Sequence, residues 1–192
     1  MGEEFIHDKV FGGADYSGQG FPYGEYENCS FVNCKFAGAD LSGSKFTDCR
    51  FEGCDMSLAG LHNTILNNVF FKECKMLGLK FDSCDAFAFS AGFEGCILDN
   101  ASFFKRKMAK TVFDRCRLWE VDFGDCDMQS VRFPECDLKR AQFADTDLRK
   151  ADLRTAFNYS IDPNINKIRK AKFSLAGVVG LLESYDIEIE GP

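Results

Sequence analysis

Residues 116–138 read Cys116-Arg-Leu-Trp-Glu-Val-Asp-Phe-Gly-Asp-Cys126-Asp-Met-Gln-Ser-Val-Arg-Phe-Pro-Glu-Cys136-Asp-Leu138, and this stretch decides the fold. Large apolar residues recur at every fifth position: Leu118, Phe123, Met128, Phe133 and Leu138. Two residues before each stands a small one: Cys116, Val121, Cys126, Val131 and Cys136. Residues two apart share a face of an extended strand, so both point inward and the one between them points out. A straight strand would send one of the next two residues inward as well, so the chain must turn there. The pattern is a coil of five-residue sides.

Outward from this stretch the period holds from Phe11 to Ala86 and, after two extra residues, from Phe93 to Leu153. The 29 centres are 14 Phe, 8 Leu, 4 Met, 2 Tyr and Ala86, and none is charged. The small slot contains all ten cysteines, and only Lys9, Gln19, Leu79 and Arg106 break its size rule. All 22 acidic residues between 9 and 155 avoid both inner slots. The second corner residue is Gly or Asn in 12 of the first 18 repeats, the requirement of a turn with positive φ. After Asn100 that position reads Lys105, Lys110, Arg115, Glu120 and onward without Gly, which predicts a change of turn type.

Cys34, Cys54, Cys74, Cys96, Cys116 and Cys136 are spaced 20, 20, 22, 20 and 20, so four sides make one coil and the extra residues fall in the 22. In the C-terminal half Phe alternates with Leu or Met, which puts Phe stacks on opposite sides. About seven coils at ~4.8 Å give a rod of roughly 35 Å. The break at 87–92 is sized for a bulge or kink rather than a projecting loop. Arg106 at an inner slot is expected to escape from the core, because a buried guanidinium without partners is costly.

These repeats resemble the pentapeptide repeat family, whose motif is a small residue, Asp or Asn, Leu or Phe and two variable residues. Ala39-Asp40-Leu41-Ser42-Gly43, Cys136-Asp137-Leu138, Thr146-Asp147-Leu148 and Ala151-Asp152-Leu153 carry the likeness. It implies an all-β solenoid, a right-handed quadrilateral β-helix, here over 11–156 behind an N-terminal arm at 1–10.

After Ala156 the period fails, and 157–192 reads as a helical cap. Asp162-Pro163 opens a helix through about Ala171. Ser174 caps a second helix bearing Leu175, Val178, Val179, Leu181 and Leu182, and Tyr185–Glu190 alternates like a strand. The second helix has more apolar residues than one capping face needs, which points to a homodimer contact.

No catalytic residue, cofactor or metal is expected. His7 and His62 belong to no triad or metal spacing, and there is no phosphate-binding glycine motif. The ten cysteines admit a disulfide framework, a metal cluster or buried thiols. The start lacks a basic region followed by a long apolar stretch, which favours a reducing, cytoplasmic compartment and buried thiols. No apolar run approaches ~18 residues, so no membrane span is expected. A net charge of −7 disfavours direct nucleic-acid binding.

Members of the family in the MfpA and Qnr group resemble duplex DNA and bind DNA gyrase and topoisomerase IV, so the likeness implies such a partner. The coil register collects Asp40, Asp82, Asp122, Asp125 and Asp145 on one side with only Lys80 and Lys105 as cations. Duplex DNA carries a charge every ~1.7 Å, whereas residues 9–155 hold 22 acidic and 19 basic residues. Any mimicry therefore rests on one side. An interaction scaffold for an unrelated protein is the other reading, with Leu77, Ile97 and Trp119 as an apolar strip.

Overall fold

The computed structural model describes residues 4–17, 20–185 and 187–190. The chain winds in coils of four short sides, each coil stacked in parallel on the previous one. The strands are β1 (Glu4–His7), β2 (Val10–Gly12), β3 (Gly24–Glu27), β4 (Ser30–Val32), β5 (Lys45–Thr47), β6 (Arg50–Glu52), β7 (Ile65–Lys72), β8 (Phe89–Glu94) and β9 (Phe113–Asp114). Twenty-residue register carries Tyr26 onto Phe46 and Leu66, and Phe31 onto Phe51 and Phe71. Where the sides are too short for strands, single parallel bridges continue the ladder. One column runs Asp15, Lys35, Asp55, Lys75, Ile97, Arg117, Asp137 and Phe157.

Large centres fill the interior. Phe11, Phe31, Phe51, Phe71, Phe93, Phe113 and Phe133 stack on one side, and Phe81, Phe103, Phe123 and Phe143 stack opposite. Rings from the two stacks meet edge to face, as in Phe103 against Phe113, the arrangement that ring quadrupoles favour.

The small slot is more than filler. All ten cysteines are free and buried. Cys34, Cys49, Cys54 and Cys74 each donate an S–H to the carbonyl 23 residues earlier, on the preceding coil, at 3.3–3.4 Å. Thr64, Thr146 and Asn166 bond the equivalent carbonyls at 2.9 Å. Where the slot holds Cys, Thr or Asn it adds a side-chain bond to a corner carbonyl, whereas Ala39, Val121 and Val131 fill it without one.

Several expectations are corrected. The demand for positive φ does not end with the Gly and Asn corners: Lys105, Lys110, Arg115, Glu120 and Asp125 keep φ of 50–66°, as Asn28 and Asn33 do, but Asn28 and Asn33 lie in bends whereas Lys105 and Lys110 lie in turns closed by bonds such as Arg106 N–H to the Phe103 carbonyl at 2.9 Å. Ladder bonds such as Lys105 N–H to the Gly124 carbonyl at 2.9 Å hold them there. The first coil begins before residue 11, because β1 and β2 are its strands; Gln19 lies outside the described residues.

The break is also placed differently. Ala86 is exposed, and Phe89 takes the inner position opposite Leu66. Residues 85–88 swing outward and leave Phe87 wholly exposed, and a register shift between Leu66 and Val69 restores the ladder. Arg106 does not escape: it stays buried and donates to the backbone carbonyls of Asp82, Cys84 and Asp85 while lying over the Phe89 ring.

At the C-terminal end the predicted helix through Ala171 is a further turn of the coil, with Lys167 bridging Asp147 and Lys172 bridging Asp152. Ile168 and Phe173 pack on the core and Asn166 fills the small slot. Ladder bonds to the coil beneath outcompete the local helix signal. The second predicted helix is two short 3-10 turns, Gly177–Leu181 and Glu183–Tyr185, and 187–190 is not a strand. Ser174 does cap, its hydroxyl accepting from Gly177 N–H at 3.0 Å. This segment closes over Tyr159, with Ile161 N–H bonded to the Gly180 carbonyl at 2.9 Å.

Candidate interaction surface

The five acidic residues singled out in the sequence share one side, the outer surface of the Phe81–Phe103–Phe123 stack. The bridges Asp40 to Gly60, Lys80 to Ser102, Ser102 to Asp122 and Asp122 to Gln142 define its central column. Asp82 lies in the adjoining corner, and Asp125 and Asp145 occupy successive levels of the positive-φ column. Gly60, Lys80 and Ser102 separate Asp40 from Asp122. The side therefore carries an isolated Asp40 and, about four levels or ~19 Å away, a compact group of Asp122, Asp125 and Asp145.

Local turns orient two of these carboxylates. Asp40 accepts Ser42 N–H at 3.0 Å, and Asp122 accepts Gly124 N–H at 2.8 Å. The Ser42 hydrogen bonds hold the Asp40 carboxyl below the usual carboxylate range. Asp82 has one carboxylate oxygen buried without a partner.

On the other sides many acids pair with bases along or between coils: Lys35 with Asp15, Lys75 with Asp55, Arg115 with Glu94, Arg117 with Asp99, Arg149 with Asp147 and Arg154 with Asp152. Asp48, Glu73, Asp127 and Glu135 enter none among the described residues. Among the described residues, Asp40, Asp82, Asp122, Asp125 and Asp145 enter no ion pair. This side carries five unpaired carboxylates against the two cations Lys80 and Lys105.

The apolar strip is partly covered at Trp119, and Leu77 and Ile97 are half-buried. Trp119 donates Nε1–H to Asp137 at 2.7 Å, and its ring lies under Arg117 at 4.6 Å and Lys139 at 5.2 Å. Of the residues expected at a dimer contact, Leu175 is 90% exposed and Val178 and Val179 are exposed, whereas Leu181 packs on the core and Leu182 is half-buried. Sequence reading missed Phe87, exposed beside Phe104; its signal was the apolar run Ala86–Phe89 inside the break.

The thiols offer no reactivity. Burial pushes Cys49, Cys84 and Cys126 up to about 12, which leaves almost no thiolate at neutral pH. Among the described residues no group of His, Cys, Asp or Glu could hold a metal ion, and no helix is long and apolar enough to cross a membrane.

A family model for the pentapeptide repeat region matches residues 25–87 and 86–157. The chain belongs to the pentapeptide repeat family. Among solved structures it is similar to a trypsin-treated variant of QnrB1, a plasmid-mediated fluoroquinolone resistance protein, at 18% identity and a TM-score of 0.61 over 97% of this chain and 100% of that one. It is also similar to HetL, a pentapeptide repeat protein involved in heterocyst differentiation regulation in the cyanobacterium Nostoc sp. strain PCC 7120, at 13% identity and a TM-score of 0.51 over 88% and 87% of the two chains. No curated protein sequence matches. At these identities the likeness is one of fold.

Proposed function

We propose that this pentapeptide repeat protein is a non-enzymatic ligand of a type II topoisomerase in the cytoplasm, presenting a DNA-like acidic side to DNA gyrase or topoisomerase IV and modulating the enzyme or protecting it from quinolones. The observation that carries the reading is the side on which Asp40, Asp82, Asp122, Asp125 and Asp145, five carboxylates against the two cations Lys80 and Lys105, enter no ion pair among the described residues. A duplex-binding groove is basic and attracts such a surface through complementary potential. The exposed Leu175, Val178 and Val179 would join two copies at the C-terminal end.

A gyrase supercoiling assay with and without a quinolone, titrated with this protein, tests the reading. The wild type is expected to change supercoiling or quinolone sensitivity, and Asp122→Lys with Asp125→Lys is expected to abolish the effect. No effect of the wild type at tens of micromolar rejects it. Phe87, fully exposed beside Phe104, favours the second reading, an interaction scaffold for an unrelated protein; Phe87→Ala, rather than the acidic reversal, would then abolish partner binding.

A further inference from the structure

The corner between the Phe46 side and the Phe51 side has a polarity that its partners within the chain leave unspent. Level by level it presents Asp8, Asn28, Asp48 and Asn68 in the N-terminal half and Lys110, Ser130, Lys150 and Lys170 in the C-terminal half. All eight share a positive φ of 50–66°, in bends or strand in the N-terminal half and in hydrogen-bonded turns in the C-terminal half. Ser90 stands at the level between, preceding Ala91, which pairs with Val69. In the acidic half Asn28 Nδ2 donates to Asp8 at 2.7 Å and Asn68 Nδ2 donates to Asp48 at 2.5 Å, which fixes both carboxylates at the edge. Neither Lys110, Lys150 nor Lys170 has a carboxylate partner among the described residues.

We propose that this corner is a self-recognition edge, against which a second copy of the chain packs side by side and antiparallel. A two-fold axis between the levels of Asn68 and Ser90 sets Asp8 opposite the second copy's Lys150, Asn28 opposite its Ser130, Asp48 opposite its Lys110 and Asn68 opposite its Ser90. Every level from Asp8 to Lys150 then meets a complementary donor or charge, and Lys170 overhangs. Because both rods have the same spacing per coil of about 4.8 Å, the match stays in register over its whole length. Moving the axis to the level of Ser90 leaves one Asp–Lys pair per copy instead of two, so the charge pattern selects the first register.

At the centre of the edge Asn68, Phe70, Ser90 and Gly92 line a shallow groove together with Lys110, and the uncharged Asn68 and Ser90 levels face each other's symmetry copies. A polyanion would satisfy only the lysine half and be repelled by Asp8 and Asp48. An identical chain satisfies both halves at once, as an isologous interface requires. The contact is independent of the topoisomerase reading and of the apolar end patch.

Sedimentation equilibrium in ~50 mM salt tests it, using a Val178→Asp/Val179→Asp background to remove end contacts. The expected result is self-association that weakens at least tenfold in ~500 mM salt, because exposed charge pairs are screened. Lys110→Glu/Lys150→Glu, whose edge is acidic at every charged level but Lys170, and Asp8→Lys/Asp48→Lys, with an all-basic edge, are each expected to be monomeric alone and to form a one-to-one dimer when mixed. A monomeric background protein in low salt overturns the proposal. So does association unchanged by both charge reversals, or failure of the two variants to pair with each other.

Discussion

The Arg106 guanidinium donates through Nη1 to the backbone carbonyl of Asp85 at 2.9 Å, tying one coil to the irregular segment of the coil before it. The same group serves the carbonyls of Asp82 and Cys84. Arg106 occupies the slot in which Thr146 and the cysteines elsewhere serve one inward carbonyl. The excursion at 85–88 leaves three such carbonyls instead of one, and a longer side chain with several donors meets them. The irregular residue and the irregular segment are a single feature.

Arg106→Met is therefore expected to destabilise the fold by about 3–5 kcal/mol, since each buried carbonyl left without a donor costs ~1–3 kcal/mol. Arg106→Lys, which keeps fewer donors, should fall between Met and the wild type. Urea unfolding midpoints measure both; a Met variant within 1 kcal/mol of the wild type would refute this account.

Phenylalanines of the same chain are expected to behave in opposite ways. Phe113 is buried between Phe93 at 4.8 Å and Phe133 at 5.3 Å, so Phe113→Ala should cost about 3–5 kcal/mol. Phe87→Ala should leave stability within ~0.5 kcal/mol. Thermal or chemical unfolding of the pair separates the two roles.

The thiols predict a pH dependence. Cys49, Cys84 and Cys126 titrate near 12 in the folded chain because burial disfavours the thiolate, against an ordinary value of 9.0. Below about pH 9 both states keep these protons and full stability is present. Between about 9 and 12 only the unfolded chain ionises, so stability falls as pH rises, on the order of 1 kcal/mol per thiol per pH unit. Unfolding midpoints from pH 8 to 10.5 should decline, and alkylation at pH 8 should spare the native protein and label all ten cysteines once it is unfolded.

The terminal segment depends on a close approach. A Cβ at Gly180 would stand 2.1 Å from the Tyr159 carbonyl oxygen, and one at Gly177 would stand 2.1 Å from the Tyr159 hydroxyl. Gly180→Ala is expected to lift 174–185 from the end of the rod. Limited proteolysis should then clip the chain after Lys172 or within this segment faster than in the wild type, while the repeat core stays intact.

Much of this was legible because the five-residue alternation acts locally. Leu118, Phe123 and Cys126 could be placed inward from their neighbours alone, and the cysteine spacing set the length of a coil. The C-terminal segment was not legible, since Asp162-Pro163 is a sound helix signal on its own. What defeats it is the ladder offered by Asp147 and Asp152 about 20 residues earlier, invisible to any local window. The acidic residues could be assigned to a side, but Asp40 proved to stand apart from the group around Asp122. The covering of Trp119 also required Asp137 and Lys139, from the next coil, to be placed beside it.

The sequence by itself determined the solenoid, its four sides and its Phe and Cys columns, because side-chain alternation and corner geometry act within five residues. Only the tertiary structure decided that Phe89 rather than Ala86 enters the core, that Arg106 stays buried, and that one side keeps its carboxylates unpaired. Each of these depends on which carbonyl, cation or ring the preceding or following coil presents, and that is settled only when the coils stack.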